Sequence, residues 1–216
     1  RAEPQRCETL VIEATYGKPE QVLPPRQRVL RDLQGWMLAV AANGGGIVGA
    51  YTLGKAQEVV AAANAAGLRP AVSDEVGEVC DIYVAYDVPL EYDRFAALSP
   101  EQRAAPGILV TSSTATSGRR PDAVVLELRQ RGAHTARVSG WCAFAPWALR
   151  GVDAGFPLSD HADFTGLLNF VEACAPQQVF TVHGAQRELA REIRKRLGIP
   201  AQPLPERGET TLEEFT

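Results

Sequence analysis

The sequence predicts an α/β fold with a mostly parallel sheet flanked by helices. Short runs of β-branched and apolar residues alternate along the chain with segments whose apolar residues recur at helical spacing, which is typical of parallel α/β sheets. Hydrophobic residues make up 45% of the 216 positions and charged residues 22%, as in an ordinary globular protein. No apolar run reaches the length of a membrane span, so we expect no membrane association. The four cysteines lie far apart with no Cys-x-x-Cys pair, which indicates a reducing compartment and a cytoplasmic location.

The first third of the chain is predicted as two strand–helix units. A buried strand covers Leu10–Ile12, and a turn-rich segment with three prolines leads to a helix over Val29–Ala42. Three consecutive glycines then end this helix. A second strand follows over Ile47–Leu53, and an alanine-rich helix over Ala56–Ala66 ends at a glycine.

The rest of the chain continues the alternation. At least one strand is expected between Pro70 and Glu91, with the strongest pattern at Asp81–Tyr86. After Pro176, which ends the last helix of this series, a short buried strand runs to Val182. Between these points the predicted elements are a strand at 108–111, a helix at 123–130, a strand at 136–141 and a helix beginning near Phe164. From Gln202 onwards the tail is expected to be partly extended.

Two of the three histidines lie directly beside predicted elements. His161 precedes the helix that begins near Phe164, and His183 follows the strand that ends at Val182. Open α/β sheets place functional side chains at the carboxyl ends of their strands. An isolated histidine is more often a surface or core residue, but two of them in Asp-, Ser- and Gly-rich turns of one strand–helix unit form a candidate site.

Four motifs resemble those of the β-CASP nucleases, which are metallo-β-lactamase-fold enzymes that cut RNA or DNA. In chain order they are the strand that carries Glu13, the segment 49–58, Ser-Asp-His-Ala-Asp-Phe at 159–164 and Val-His-Gly at 182–184. The resemblance implies a β-CASP domain at 27–153. It also implies the C-terminal strand–helix part of a metallo-β-lactamase αββα domain, formed by 1–26 and 154–216. The motif at 159–164 and the short segment between Trp141 and Pro157 resemble prokaryotic members near the DNA-ligase-associated exonucleases.

The main metal-ligand cluster of that family is missing from this chain. The family carries a His-x-His-x-Asp-His cluster, a further histidine and a bridging aspartate, all upstream of the position of Glu13, whereas this chain has only His134, His161 and His183. The resemblance implies two zinc ions in the complete enzyme, with His183 as the one clear ligand from this chain. We therefore expect a C-terminal half that is inactive alone and is completed by an N-terminal segment or by a partner chain.

By position, the resemblance also implies roles for the residues around His161. His161 would be the general acid or the group bonded to the scissile phosphate, and Glu13 would fix the tautomer of its imidazole. Asp163 is a further catalytic candidate that could orient His161. The alternative for Asp163 is a helix cap, and Ser159 is a second candidate cap.

A hydroxyl-rich loop after the strand at 108–111 is a candidate phosphate-binding segment. Hydroxyls, backbone N–H groups and an adjacent guanidinium can surround a phosphate, although the alternative is a flexible surface loop. Lys55, near a predicted helix start, is a second candidate phosphate contact. The substrate-binding candidates in the loop are Ser112, Ser113, Thr114, Ser117 and Arg119.

Two glycine-rich segments imitate nucleotide-binding motifs without their context. Gly44–Gly49 fits Gly-x-Gly-x-x-Gly, but these glycines precede a strand, whereas the dinucleotide motif has them after one. Gly49–Ala56 nearly completes a P-loop, yet Ala56 stands where a Ser or Thr would hold magnesium. Neither a dinucleotide-binding protein nor an NTPase is expected.

Composition leaves two classes of function open. The net charge of −4 argues against indiscriminate coating of nucleic acid, but local clusters of arginine suit a groove for single-stranded RNA or DNA. A zinc-dependent nuclease is the leading hypothesis, and a non-catalytic nucleic-acid-binding or scaffold subunit is its rival. The intact trio of Glu13, His161 and His183 favours the nuclease. A small-molecule metallohydrolase would not need the inserted domain, and a homodimer is a candidate assembly.

Overall fold

The computed structural model describes residues 2–117 and 121–205, which alternate between strands and helices. The strands are β1 (Thr9–Glu13), β2 (Gly46–Ala50), β3 (Ala71–Val72), β4 (Asp93–Arg94), β5 (Ile108–Ser112), β6 (His134–Val138), β7 (Ala154–Phe156), β8 (Gln178–Val182) and β9 (Ala201–Pro203). The helices are α1 (Arg26–Ala41), α2 (Lys55–Ala65), α3 (Asp74–Ala85), α4 (Pro100–Ala104), α5 (Ala123–Gln130), α6 (Phe164–Cys174) and α7 (Gln186–Leu197). Every strand pair among these is parallel, which confirms the predicted fold class.

The described residues from Leu23 to Asp160 form the larger of two compact units. Its sheet has the strand order β4-β3-β5-β2-β6-β7. The central strand β2 is buried along its whole length, and Ala50 at its carboxyl end lies opposite Ser112 of β5. On the other side, Gly49 lies opposite Arg137 of β6. The carboxyl ends of β5, β2 and β6 are therefore level with one another at one edge of the sheet.

Helix α1 shows how the sequence pattern becomes packing in this unit. Val29, Leu33, Met37 and Val40 recur every three or four residues, and all four are buried on one face of the helix. That face joins the apolar cluster formed by α2 and by the strands of the six-stranded sheet. At roughly 1.5–3 kcal/mol for each fully buried aliphatic side chain, this burial is a major source of the unit's stability.

The smaller unit contains the described residues up to Val22 and those from His161 onwards. Its three-stranded sheet has the order β1-β8-β9, and Glu13 at the end of β1 lies opposite Val182 at the end of β8. Apolar residues of α6 and α7, among them Leu167, Val171 and Ile193, pack with the sheet into a second core. The two strand ends next to the candidate histidines are thus hydrogen-bonded neighbours.

The predicted strand at Asp81–Tyr86 was wrong, because this segment belongs to helix α3. Val76 and Gly77 lie four and three residues before Cys80, and the three residues form the buried face of the helix. Gly77 lets the chain pass close to Arg94, since a β-carbon there would lie 2.5 Å from Arg94 Nε. The apolar residues Ile82, Val84 and Tyr86, which alternate like those of a strand, are exposed.

Two predicted strands also end earlier than expected. Strand β2 stops at Ala50 because the next residues turn to start α2, with Ala56 N–H donating to the Tyr51 carbonyl at 2.9 Å. Strand β6 stops at Val138 because Ser139 begins a 3₁₀ turn, and its Oγ accepts from Trp141 N–H at 3.4 Å. Among residues 2–117 and 121–205, no helix has both the length and the apolarity that a membrane span requires.

Candidate functional site

Glu13 and His161 lie together in the smaller unit. Glu13 is the last residue of β1, and its Oε2 accepts a hydrogen bond from Thr15 N–H at 2.6 Å. Its Oε1 lies 3.5 Å from His161 Nδ1, and Thr15 Oγ1 lies 3.4 Å from the same nitrogen. The ring of buried Tyr16 stands edge-on to the imidazole, with 6.2 Å between centroids. Residues from the two ends of the chain therefore surround one face of His161, as the sequence led us to expect.

The Glu13–His161 pair is accessible to a substrate. The His161 side chain is 56% exposed and the Glu13 side chain is 29% exposed. A carboxylate beside Nδ1 favours a proton on that nitrogen, since the N–H can then point at a negative oxygen. Proton exchange with a substrate would then involve Nε2.

His183 lies in the turn between β8 and α7, at the carboxyl end of β8. Its φ of +56° lies in the left-handed region, which is uncommon for a residue with a side chain. The residue is exposed, and within the described parts of the chain no hydrogen bond or ion pair involves its imidazole. An unengaged imidazole on a conformationally restricted turn can donate a nitrogen to a metal ion.

The turn that carries His183 is bound to the segment that follows Glu13. Ala14 N–H donates to the Val182 carbonyl at 2.7 Å, and Ala185 N–H donates to the Ala14 carbonyl at 2.8 Å. Gly184, with φ of +59°, lies so close that a β-carbon there would be 2.3 Å from Ala14 O. These contacts place His183 at the same sheet edge as Glu13.

Asp163 caps helix α6. Its Oδ1 accepts from Gly166 N–H at 2.8 Å, and its backbone has the extended conformation of an N-cap. The capping alternative is therefore what the structure shows, while an orienting role of Asp163 towards His161 stays a prediction. Ser159 was the wrong cap candidate, because α6 begins at Phe164 and Ser159 belongs to the larger unit.

The smaller unit does not present a complete metal site. Among residues 2–117 and 121–205, no three His, Cys, Asp or Glu side chains converge closely enough to hold a metal ion. A structural zinc site uses four protein ligands and a catalytic one uses three with a water. The residues described here therefore do not fit a resident zinc ion by themselves.

The hydroxyl-rich loop lies in the larger unit, at the carboxyl end of β5, where it borders a cleft of about 610 Å³. Ser112 is buried, and its Oγ forms a hydrogen bond with Thr114 Oγ1 at 2.9 Å. Arg119 lies outside the described residues. The lining residues are Tyr51, Ser113, Thr114, Ser117, Arg137, Ser139, Trp147, Arg150 and Gly151. Three of the predicted phosphate contacts are thus brought to one cleft.

Sequence reasoning missed the two arginines and two aromatic residues of this cleft. Tyr51 follows β2 directly, and Arg137 lies near the end of β6. Their positions at the carboxyl ends of predicted strands are the sequence feature that could have identified them. Trp147 and Arg150 lie in and just after a short 3₁₀ turn, Pro146–Leu149, and nothing local in the sequence indicates their position.

Lys55 is engaged by carboxylates in the larger unit. Its Nζ lies 2.9 Å from Asp160 Oδ1 and is also paired with Glu58, which in turn pairs with Arg26. The Lys55 side chain is only 3% exposed, and burial lowers the pKa of the ammonium despite the opposing effect of Asp160. A phosphate would have to displace a carboxylate to reach it, and the phosphate contact of Lys55 stays a prediction.

Comparison with known proteins agrees with the predicted fold class. Residues 155–202 match the family described as Zn-dependent metallo-hydrolase RNA specificity domain. A probable DNA ligase from Opitutus terrae is 31% identical over 209 residues, which are 95% of this chain and 20% of that protein. The chain thus spans about one fifth of the length of this relative.

The match at 155–202 supports a domain of the metallo-hydrolase class, and the parallel α/β architecture is consistent with it. Together with the relative, it supports the resemblance of this chain to the metallo-β-lactamase β-CASP family.

Proposed function

We propose that this chain is part of a zinc-dependent nuclease that hydrolyses phosphodiester bonds of DNA or RNA. The observation that carries the proposal is the Glu13–His161 pair, 3.5 Å apart at the sheet edge that also carries His183. A carboxylate–histidine pair at the carboxyl end of parallel strands is suited to proton transfer. A purely structural turn has no need of an exposed pair of this kind.

His161 is the proton donor in this proposal. Glu13 and Thr15 hold Nδ1, so that Nε2 can protonate the oxygen that leaves the phosphate. His183 supplies one ligand to zinc, and the remaining ligands come from residues that this chain does not bring together. The ion itself would contribute charge neutralisation and an activated water.

DNA is the favoured substrate. The relative named as a probable DNA ligase matches nearly the whole chain, whereas the family described by RNA specificity matches 48 residues near the carboxyl end. A nuclease in a protein that joins DNA strands would act on DNA ends. RNA remains the comparison substrate in the experiment below.

The rival function is a non-catalytic nucleic-acid-binding subunit. It is favoured by the failure of the described residues to assemble a metal site. Binding without cleavage would then be the whole activity of the chain. The two functions differ in one measurable respect, because only the nuclease needs the imidazole of His161.

The test uses the protein in which the metal site is completed by an N-terminal segment or by a partner chain, with single-turnover cleavage of labelled single-stranded DNA and RNA. His161→Ala is expected to slow cleavage by about 10²–10⁴-fold and to leave the zinc content unchanged, as for loss of a general acid. Glu13→Gln should fall between wild type and His161→Ala. The matched control is His134→Ala, an exposed histidine at the start of β6.

Two results would contradict the nuclease. Near-normal cleavage by His161→Ala would show that the proton comes from another group. A zinc-loaded wild-type protein that binds both substrates and cleaves neither would favour the non-catalytic subunit.

A further inference from the structure

We propose that the cleft at the sheet edge of the larger unit binds one nucleotide of a single-stranded nucleic acid. In this arrangement its base stacks on Trp147 and Tyr51, and its phosphate lies between Arg137 and Arg150. The proposal rests on the proposed function, because it names the place where that substrate is held.

The position and size of the cleft suit such a ligand. It opens where β5, β2 and β6 end level with one another, which is where parallel α/β sheets bind ligands. Its volume of about 610 Å³ lies within the range of small-molecule sites. A nucleotide can therefore enter without rearrangement of the sheet.

The two arginines give the cleft an uncompensated positive charge. The Arg137 guanidinium is held by backbone carbonyls, with Nη1 donating to Ala148 O at 3.1 Å and Nη2 to Ser113 O at 3.5 Å. Its buried Nε has no hydrogen-bond partner among the described residues. In the same part of the chain, neither Arg137 nor Arg150 forms an ion pair and no carboxylate lines the cleft. An anion is the natural partner of this arrangement.

The hydroxyl-rich loop is held in shape next to these arginines. Ser113 N–H donates to the Ala50 carbonyl at 2.8 Å, which fixes the start of the loop on β2. Buried Thr116 packs against Gly49, where a β-carbon would lie 2.1 Å from Thr116 Oγ1. The loop therefore presents Ser113 and Thr114 in a defined geometry, so less ordering entropy is lost when a phosphate binds.

The aromatic residues distinguish a nucleotide from a simple anion. Trp147 and Tyr51 are 53% and 54% exposed, so a large part of each aromatic side chain is accessible to a ligand in the cleft. Trp141 packs against Trp147, with 6.0 Å between ring centroids, and so limits its motion. Every base offers a flat face to such a ring, but only an unpaired, unstacked base is free to use it. The cleft therefore selects single strands.

The test is equilibrium binding by the chain, in a metal chelator so that cleavage does not intervene. The probes are a fluorescent 12-nucleotide oligothymidine DNA and the matching oligouridine RNA, with anisotropy as the readout. Trp147→Ala is expected to raise Kd by about 5- to 150-fold, the range for loss of one base stack, and Trp147→Phe should restore most of the affinity. The matched control is Tyr86→Ala, an exposed aromatic residue at the end of α3.

The phosphate contact is tested through the salt dependence of binding. Arg150→Gln should reduce the slope of log Kd against log salt concentration by about 0.7, because one phosphate contact to a single strand is lost. Trp147→Ala should leave this slope unchanged. Arg31→Gln removes an exposed arginine from α1 of the same unit and is the matched control for charge.

An oligonucleotide with abasic positions completes the test. It should bind the wild-type chain more weakly than oligothymidine does. This difference in affinity should be smaller for Trp147→Ala, in which only Tyr51 is left to stack on a base. Three results would overturn the proposal. They are equal affinity of the wild type for oligothymidine and the abasic oligonucleotide, an unchanged Kd in Trp147→Ala, and no binding of either DNA or RNA. No part of this test requires catalysis. A protein that binds as expected but does not cleave would therefore contradict the proposed nuclease and leave the binding proposal standing.

Discussion

Replacement of Gly184 by alanine tests whether the β8–α7 turn is held by close backbone packing. An added β-carbon would lie 2.3 Å from Ala14 O and 2.7 Å from Thr15 Cα, whereas real contacts of this kind are almost never below 3.0 Å. The turn would have to move away from Ala14 and lose the hydrogen bond from Ala185 N–H to the Ala14 carbonyl. His183, the residue before Gly184, would move with it.

The expected loss of stability follows from two contributions. A left-handed conformation costs a residue with a β-carbon about 1–2 kcal/mol, and the broken hydrogen bond costs about 0.5–1.5 kcal/mol. Gly184→Ala should therefore lower the free energy of unfolding by roughly 1.5–3.5 kcal/mol. Gly198→Ala is the matched control in the same unit, since its φ is +69° and a β-carbon there would meet no atom within 4 Å.

Urea unfolding followed by far-ultraviolet circular dichroism measures both variants. The two compact units can unfold in separate transitions, so the fit must allow for two. Gly198→Ala should pay only the conformational cost, about 1–2 kcal/mol. If the two variants lose the same stability, the close approach of the turn to Ala14 is not what makes Gly184 necessary.

Three further predictions concern metal, capping and charge. The chain alone should keep no stoichiometric zinc after dialysis, because His183 cannot replace a full ligand set. Zinc is measured by plasma mass spectrometry, and tightly held zinc would reveal ligands that we have not identified. Asp163→Ala should lower the free energy of unfolding by about 1 kcal/mol through loss of the α6 cap, while Asp163→Asn should retain most of it; equal losses would refute the capping role. Because burial lowers the pKa of Lys55 from its ordinary value of 10.5, the unfolded chain binds more protons there between the folded pKa and 10.5. Relative to Lys55→Met, the free energy of unfolding of the wild type should therefore rise with pH through that window. Urea titrations at several pH values measure it, and a fall would contradict the lowered pKa of Lys55.

The sequence predicted the elements whose patterns repeat clearly. Helix α5 was placed at 123–130 as observed, and α6 and β8 were found on either side of Pro176. These elements bury the apolar residues that predicted them, such as Val171 and Val179. Local periodicity is a sound guide where one face of an element meets the core.

Helix α3 shows why the same reasoning fails elsewhere. The alternation of Ile82, Val84 and Tyr86 suggested a strand, but these residues face solvent, and the buried face is set by Val76 and Cys80 one turn earlier. A short window cannot tell which apolar residues the core will take. That choice depends on neighbouring elements, here on the passage of Arg94 over Gly77.

In the candidate site, too, the sequence predicted some features and only the tertiary structure showed others. Glu13, His161 and His183 were found because their motifs resemble those of a family, and their placement beside strand and helix ends could be read from the chain. The 3.5 Å approach of Glu13 to His161 and the pairing of β1 with β8, which places Glu13 beside the strand that precedes His183, are contacts between distant parts of the sequence. The ion pair of Lys55 with Asp160 was not predicted, because the two residues are 105 positions apart.

The amino-acid sequence by itself determined the α/β class, the order of most elements and the candidate residues at strand ends, because these depend on local periodicity, turns and motifs. The tertiary structure decided which of those residues share a site. Arg137, Arg150 and Trp147 line one cleft for two reasons. Strands β5, β2 and β6 end level with one another, and the 3₁₀ turn Pro146–Leu149 lies at that edge of the sheet. Parallel pairing joins segments that are far apart in sequence, and no local pattern encodes the register in which they meet.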